Sequence, residues 1–170
     1  MIKIYTDGGC WPNPGGIGGW GAVILLNGEH IELSGAEENT TNNRMEITAA
    51  VEALRYLQTR QVRSSVTIVS DSAYLVNGAN IWVHSWVKYG WKRKHTKNGK
   101  VKFANIKNVE LWQDLVRISS SSQDKVTFAW VKGHNGDDMN ERADQLAGDA
   151  AKAHGADTDF FSQPHPKQAG

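Results

Sequence analysis

Four acidic residues stand where side chains could do chemistry: Asp7, Glu46, Asp71 and Asp144. Asp7 interrupts the stretch IYTDGGCWPNPGG, just past an apolar run. Asp71 ends a β-branched run, Val66-Thr67-Ile68-Val69-Ser70. Glu46 lies in the first turns of a helical pattern, and Asp144 near the start of another. If the two strand-end acids project at the same end of one sheet, all four carboxylates can meet. Like charges brought together raise one another's energy. A hard divalent cation relieves this, and magnesium takes carboxylate oxygens, keeps several waters and accepts substrate phosphates as further ligands. Two such ions about 4 Å apart stabilise both the attacking and the leaving oxygen of a phosphoryl displacement. His134, in the loop Gly133-His134-Asn135-Gly136 ten residues before Asp144, could carry a proton or help release product. Each acid also has an ordinary alternative. Asp7 and Asp71 suit turns after strands, Glu46 suits a capping pair with Asn43, and Asp144 suits the positive end of a helix.

The elements that must position these groups are legible in the periodicity. Ile2–Tyr5, Gly19–Leu26 and Ile31–Gly35 read as strands, the last two flanking Asn27-Gly28, a strong hairpin signal here extended by Glu29-His30. Ile47, Ala50, Val51, Leu54 and Leu57 recur at helical spacing, with Thr41, Asn42 or Asn43 able to cap the helix. A fourth strand ends at Ser70, and a short helix runs from near Ser72 to Asn77-Gly78. The segment after it reads as helix then loop. Residues 109–118 read as a helix broken by four serines, 119–122. Residues 126–131 read as a strand, and 140–154 as an Ala-rich helix. Asp7 is expected beyond the end of its strand, with Gly8 and Gly9 opening a loop that a large ligand can approach. The order predicts an α/β fold: a five-stranded mixed sheet, three antiparallel strands then two parallel ones, flanked by helices. Ligands bind beyond the carboxyl ends of the parallel strands in such sheets.

Composition bounds the rest. The 170 residues suit one domain, expected over 1–154, with 155–170 a flexible tail whose only apolar point is Phe160-Phe161. No apolar run approaches the ~20 residues of a membrane span. One cysteine, Cys10, and no signal-peptide pattern predict a reducing, cytoplasmic setting. The net charge of +1 is unevenly laid out. Between Ser72 and Val109 there is no acid, yet eight of the 19 Lys and Arg fall there, interleaved with Trp82, Trp86, Trp91 and Phe103. Elsewhere eleven bases face all 18 acids. A solvated basic face is one reading of this segment; a nucleic-acid surface is the other, favoured by the excluded acids and the aromatics.

The stretches YTDGGC, TTNNRMEITAAVEAL, VSDSAYLVNG, WVHSWVKYGWK, KNVELWQDL, WVKGH and NERADQLA occur in this order over residues 1–153. Together they closely resemble type 1 ribonuclease H of the bacterial kind. The resemblance implies the ribonuclease H-like fold with a basic Trp-rich handle. It also implies an endonuclease that cuts the RNA strand of RNA–DNA hybrids with two magnesium ions, or manganese in their place, leaving a 5′-phosphate and a 3′-hydroxyl. Asp7, Glu46, Asp71 and Asp144 would be the metal-binding acids, with Asp7 touching both ions and Glu46 near the attacking water. His134 would be the family's loop histidine. Gly8, Gly9, Cys10, Asn13, Asn42 and Asn43 would meet the RNA strand, whose 2′-hydroxyls line a wide minor groove. Thr41 and Asn108 would grip a DNA phosphate, and Tyr74 and Trp82 would pack on DNA sugars. Lys88, Lys92, Arg93 and Lys94 would form the handle. A monomer without an obligate protein partner or membrane is implied.

Three departures stand out. Ala73 occupies a position where many members carry an RNA-touching Gln. The handle from Lys92 to Ile106 is lengthened by Lys97-Asn98-Gly99-Lys100. The tail has no counterpart. Two other classes compete: a hybrid-binding module that no longer cuts, which would have lost acids, and another nuclease of the same fold, against which NNRME, KGH and the handle all argue.

Overall fold

In the computed structural model, residues 1–121 and 125–158 are described. Three antiparallel strands, β1 (Ile2–Trp11), β2 (Ile17–Leu26) and β3 (Glu29–Glu37), open the chain. Helix α1 (Asn42–Thr59) crosses to β4 (Val66–Ser70). Next come α2 (Ala73–Asn77), a π-helical turn (Gly78–Trp82), α3 (Val83–Lys88), a hairpin β5 (Arg93–Lys97) and β6 (Lys100–Ala104), α4 (Val109–Ser121), β7 (Val126–Trp130) and α5 (Asp138–Ala153). The main sheet has the order β3-β2-β1-β4-β7. β1 pairs antiparallel with β2 and parallel with β4, and β7 runs parallel to β4. This is the expected five-stranded mixed sheet.

Alternation along the strands gives the sheet two buried faces. Ile2, Ile4, Ala22, Ile24, Val66 and Ile68 join α1, α3 and α4 in the larger core, centred on Trp112. Tyr5, Val23 and Val69 face the other way and pack with Ala143 of α5. Helix α5 lies close to β2 because β2 carries glycine there. A Cβ on Gly19 would fall 2.0 Å from the Ala147 carbonyl oxygen, and one on Gly21 2.5 Å from that of Ala143. No helix among the described residues is long and apolar enough to cross a membrane.

Several local expectations give way to longer-range pairing. β1 does not stop at Tyr5. Its parallel ladder with β4 ends at Thr6↔Ser70, but its ladder with β2 continues to Trp11↔Ile17. Asp7, Gly8, Gly9 and Cys10 are therefore strand residues rather than a loop. The β2–β3 turn is the two residues Asn27 (φ 52) and Gly28 (φ 79) alone, and Glu29-His30 already belong to β3. α2 ends at Asn77 with Gly78 as its cap, as expected, but Gly78 is right-handed helical, so the backbone runs on into the π-helical turn; its missing side chain admits the Trp112 ring, which a Cβ would meet at 2.1 Å. Helix α4 runs through Ser121 rather than breaking at Ser119, because Gln58 of α1 donates to Ser121 Oγ and Ser121 Oγ in turn donates to the Ile118 carbonyl. Asp137 caps α5 by accepting from the Met139 and Asn140 amides, which starts that helix before Asn140. At its other end Gly155 (φ 112) turns the chain back, with Ala156 N–H bonding the Ala151 carbonyl and Gly155 N–H that of Lys152. This is the Schellman pattern. It makes the first two residues of the expected tail part of the helix terminus. Phe160-Phe161 lie outside the described residues.

The handle is the largest departure. Where a loop was expected after α3, residues 93–104 form a two-stranded ribbon closed by Asn98 (φ 52) and Gly99 (φ 74). The turn repeats the chemistry of Asn27-Gly28.

Candidate active site

The parallel register sets two of the acids. Thr6 of β1 faces Ser70 of β4, and the next residue of each strand is an aspartate. Asp7 and Asp71 therefore leave the same end of the sheet side by side. Asp71 is followed by a tight turn: Ser70 Oγ accepts from the Ser72 amide, and Ser72 Oγ caps α2 by accepting from the Leu75 amide. Glu46 arrives from α1, whose first turn is pressed onto β1 at Gly8. A Cβ there would sit 2.5 Å from the Met45 carbonyl carbon and 2.6 Å from the Glu46 nitrogen. Gly8 is thus glycine for the approach of a helix rather than of a ligand. Its N–H also donates to the Glu46 carboxylate.

One carboxylate oxygen each from Asp7, Glu46 and Asp71 lie within 4.8 Å of one another. Asp7 and Glu46 are each only 1% exposed. Asp144, half-buried on the second turn of α5, stands at their rim, close enough that its charge raises the proton affinity of both Glu46 and Asp71. All four sequence-predicted acids converge on one end of the sheet.

Burial and mutual repulsion leave a clear electrostatic mark. Glu46 titrates well above the usual carboxylate range, first because it is desolvated, then because of Asp71 and Asp144. Asp71 is pushed up to about 6 by burial and by Asp144, against the opposing pull of His134 and a hydrogen bond from the Asn140 side chain. A site that raises carboxylate pKa values this way is short of positive charge. Its donors are clustered hard oxygens, and the donor set fits divalent magnesium or manganese.

His134 is exposed in the β7–α5 loop, at φ 54. The residue before it comes nearer to the acids. A Cβ on Gly133 would lie 2.5 Å from Asp71 Oδ2, so the loop lies directly on that carboxylate.

The remaining candidates fall into three groups. At the β1–α1 junction, Asn42 Oδ1 accepts from the Cys10 amide at 2.7 Å, and the Asn42 amide donates to Asn13 Oδ1 at 3.0 Å. Asn43 is half-buried beside them, and Thr41 caps α1 by accepting from the Arg44 amide. Gly9 is buried in the β1–β2 ladder, and the Cys10 thiol, raised by burial, donates to the Pro12 and Thr40 carbonyls. A second group spans α1, α2 and α4: Arg44 Nη1 donates to Asn108 Oδ1, and Asn108 Nδ2 donates to the Tyr74 hydroxyl. Tyr74 is itself core, 7% exposed, with its hydroxyl also accepting from Trp112 Nε1. Of the two rings expected along a DNA channel, only Trp82 reaches solvent; it sits edge-on to Tyr74 at 5.7 Å. The third group is the handle, far more exposed. Lys92 Nζ is held by Asn105 Oδ1 at the ribbon's root, while Lys88, Arg93 and Lys94 project into solvent.

Sequence reasoning missed Arg44, Gly133, Asn140 and Trp130. Arg44 also pairs with Glu110 at 2.6 Å. Trp130, largely exposed at the end of β7, donates its indole N–H to the Asp71 carbonyl. Each lies inside or beside a motif already singled out, but its contact is with a residue distant in sequence.

Three carboxylates from separate elements, two of them buried, form a cluster of the kind that holds metal ions in hydrolases. The sequence model of the RNase H family matches residues 1–152, and the chain belongs to that family, which places it among the endoribonucleases. It is 47% identical over 149 residues to a ribonuclease H of Francisella philomiragia subsp. philomiragia, covering 88% of this chain and 90% of the relative. Among solved structures it resembles LC9-RNase H1, a type 1 RNase H with the type 2 active-site motif (TM-score 0.74, 34% identity, 89% of this chain and 72% of that one). It also resembles LC11-RNase H1 in complex with an RNA/DNA hybrid (TM-score 0.66, 26% identity, 91% and 99%).

Proposed function

We propose that this chain cuts the RNA strand of RNA–DNA hybrids, leaving 5′-phosphate and 3′-hydroxyl ends, with Asp7, Glu46, Asp71 and Asp144 as holders of two magnesium ions that manganese can replace. The observation that carries this reading is the meeting of three carboxylates within 4.8 Å where the parallel β1–β4 ladder ends. Bound there, the cations would acidify a water and neutralise charge gathering on the scissile phosphate. The chain's own residues do the rest. Gly8 N–H and the first turn of α1 fix Glu46, where it would orient the attacking water. Asn140 and the backbone at Gly133 hold the Asp71 carboxylate from two sides. His134, exposed and close enough to act on Asp71, would take up or deliver a proton as product leaves.

Substrate selection rests on the neighbouring groups. A 2′-hydroxyl both donates and accepts, and an amide side chain answers both roles. Asn42 is oriented for this by its bond to Cys10 N–H, with Asn13 and Asn43 beside it. Thr41, Arg44 and Asn108 would receive a phosphate of the DNA strand, and Trp82, backed by Tyr74, would lie along its sugars. The hybrid-bound relative supports a hybrid as substrate. All four acids come from one chain, which supports a monomer with one domain over residues 1–154. A single cysteine, the buried Cys10, supports a cytoplasmic setting.

The test uses one sequence as RNA–DNA hybrid, double-stranded RNA, double-stranded DNA and single-stranded RNA, each with and without magnesium, with products sized. Cleavage confined to the RNA of the hybrid and dependent on the metal is expected. Equal cleavage of double-stranded RNA, or an intact hybrid, would overturn the reading.

A further inference from the structure

The β5–β6 ribbon has two chemically different sides. Opposed residues share a side, and neighbours along each strand alternate. One side carries Arg93, His95, Lys97, Lys100, Lys102 and Ala104. Its half-buried members, His95 and Ala104, turn this side toward the body, and its cations fringe it. The other side carries Lys94, Thr96, Val101 and Phe103. Here Val101 is 53% and Phe103 55% exposed.

Phe103 has one aromatic neighbour on this side. The Tyr89 ring, from the end of α3, lies 5.9 Å away and tilted by 51°. Two ammonium groups bracket it: Lys94 Nζ 5.0 Å and Lys88 Nζ 5.5 Å from the Tyr89 ring centroid. The root of this platform is firm. Helix α3 ends in a Schellman pattern, with Trp91 N–H on the Trp86 carbonyl and Gly90 N–H on that of Val87. Trp91 then packs on the main core, and the Lys92–Asn105 bond closes the ribbon's base. A two-stranded ribbon has little stability of its own. This one is anchored at its base, with Phe103 left outward beside the half-buried Tyr89, whose hydroxyl accepts from Lys94 Nζ at 3.4 Å.

Rings of this kind offer little to an intact duplex, whose bases are stacked on each other and present only edges, sugars and phosphates. They suit unpaired nucleotides, whose base faces are open and whose phosphates need cations. Resting on the hybrid-cutting reading above, we propose that the Tyr89–Phe103 side of the handle holds a single strand leaving the end of the hybrid. Its bases stack on the two rings, Lys88 and Lys94 pair with its phosphates, and the opposite side of the ribbon is left for the duplex. The absence of any acid from Ser72 to Val109 gives the whole segment one sign of charge and favours a polyanion over a mixed protein surface.

The test measures binding in chelator, where no cutting occurs. Three hybrids share one duplex: one blunt, one with an unpaired DNA tail of about ten nucleotides, and one with the same tail lacking its bases. The tailed hybrid is expected to bind about tenfold tighter than the blunt one, and the abasic tail to give little of that gain. Phe103→Ala should remove the gain without altering the salt dependence, and Phe103→Trp should keep it. An equal gain from the abasic tail, no gain from the full tail, or a gain that survives Phe103→Ala would each overturn the proposal. Adding magnesium to the blunt hybrid tests the underlying activity separately. Cutting there without any tail effect sinks only the handle's role, whereas an uncut hybrid sinks the cleavage reading and leaves the tail measurement to decide the handle.

Discussion

The acid cluster and the handle both carry concentrated charge, and they place it by opposite means. Asp7 and Glu46 are buried, and the elements that carry the acids pack where no side chain would fit: α1 on Gly8 and α5 on Gly19 and Gly21, with the Gly133 backbone directly on the Asp71 carboxylate. The handle's cations sit on a ribbon rooted at one end and otherwise solvated. The difference follows from what each charge must meet. Ligands of a metal ion must stand within a fraction of an ångström of a set geometry, which takes a core to enforce. Attraction of a polyanion needs only density of charge and falls off over about 8–10 Å, so exposure costs it little. The cluster therefore carries an electrostatic penalty that a proton or a bound cation relieves, whereas repulsion among the handle's solvated cations is screened by water and salt.

If that contrast holds, single changes should be severe in the cluster. Asp7→Asn replaces one of the three converging carboxylates by a neutral amide and should lower metal-dependent cleavage by more than about a hundredfold while hybrid binding is kept; changing a group that only orients a metal's ligands costs about 10–100-fold. Single-turnover cleavage alongside a binding isotherm checks this, and near-normal turnover would remove Asp7 from the site. Gly133→Ala comes next. Its methyl would stand 2.5 Å from Asp71 Oδ2, so the carboxylate or the loop must shift. A loss of about 10–100-fold is expected, mostly in kcat and in the magnesium concentration needed for half-maximal rate. An unchanged magnesium requirement would mean that the loop yields rather than the ligand.

The same contrast explains what the sequence disclosed. The candidate acids, the mixed five-stranded sheet and the crossover helix follow from period and spacing, whereas the strand order β3-β2-β1-β4-β7 is set by pairing between distant segments. Asp71 was placed at a strand end correctly because β4 stops at Ser70. Asp7 was misplaced relative to its strand because Gly8, Gly9 and Cys10 read locally as a loop, and only the partner strand keeps them in register. Gly78 was read correctly as the end of α2, but not as the space for Trp112, because nothing nearby in sequence shows that the ring needs it. The ribbon was missed although its Asn98-Gly99 turn carries the same signal as Asn27-Gly28. Its flanks, Arg93-Lys94-His95-Thr96-Lys97 and Lys100-Val101-Lys102-Phe103-Ala104, lack the apolar alternation of a core strand, since this ribbon has no core to face. Gly133 and Asn140 were out of reach because their roles are defined by contact with Asp71, more than sixty residues away in the chain.

Changes in the handle should be graded rather than severe. Replacing Arg93, Lys100 and Lys102 together by Gln should weaken blunt-hybrid binding by about tenfold near physiological salt and reduce the salt slope by about two, while kcat is kept. The slope is the discriminating readout. A loss of affinity at constant slope would mean that these cations support the ribbon rather than meet phosphate. Lys92 belongs to a different class, being engaged with Asn105 at the root; Lys92→Gln keeps a hydrogen-bonding group there and should alter the slope less than Arg93→Gln.

The smallest effect is on stability, and its sign separates the two regions most directly. In chelator, the folded chain holds a proton on Asp71 up to about pH 6, whereas the unfolded chain releases it near the ordinary value of 3.8. Between these values the folded state binds more protons, so the contribution of Asp71 to stability falls as pH rises, and the loss is complete above the folded value. Burial and Asp144 are the leading causes, so Asp71→Asn should relieve the repulsion. The variant should be the more stable one at about pH 8, by on the order of 1 kcal/mol once sharing of the repulsion with Glu46 and Asp144 is discounted, and the gap should close towards about pH 4. Magnesium should reverse the order at about pH 8, because a cation bound only by the folded state stabilises the native cluster more than one lacking a ligand. Thermal melts of both proteins at several pH values, with chelator or magnesium, check all three statements. A wild-type chain as stable as the variant in chelator at about pH 8 would show that its carboxylates meet without repulsion, and the distinction between a strained acid cluster and an unstrained basic handle would be lost.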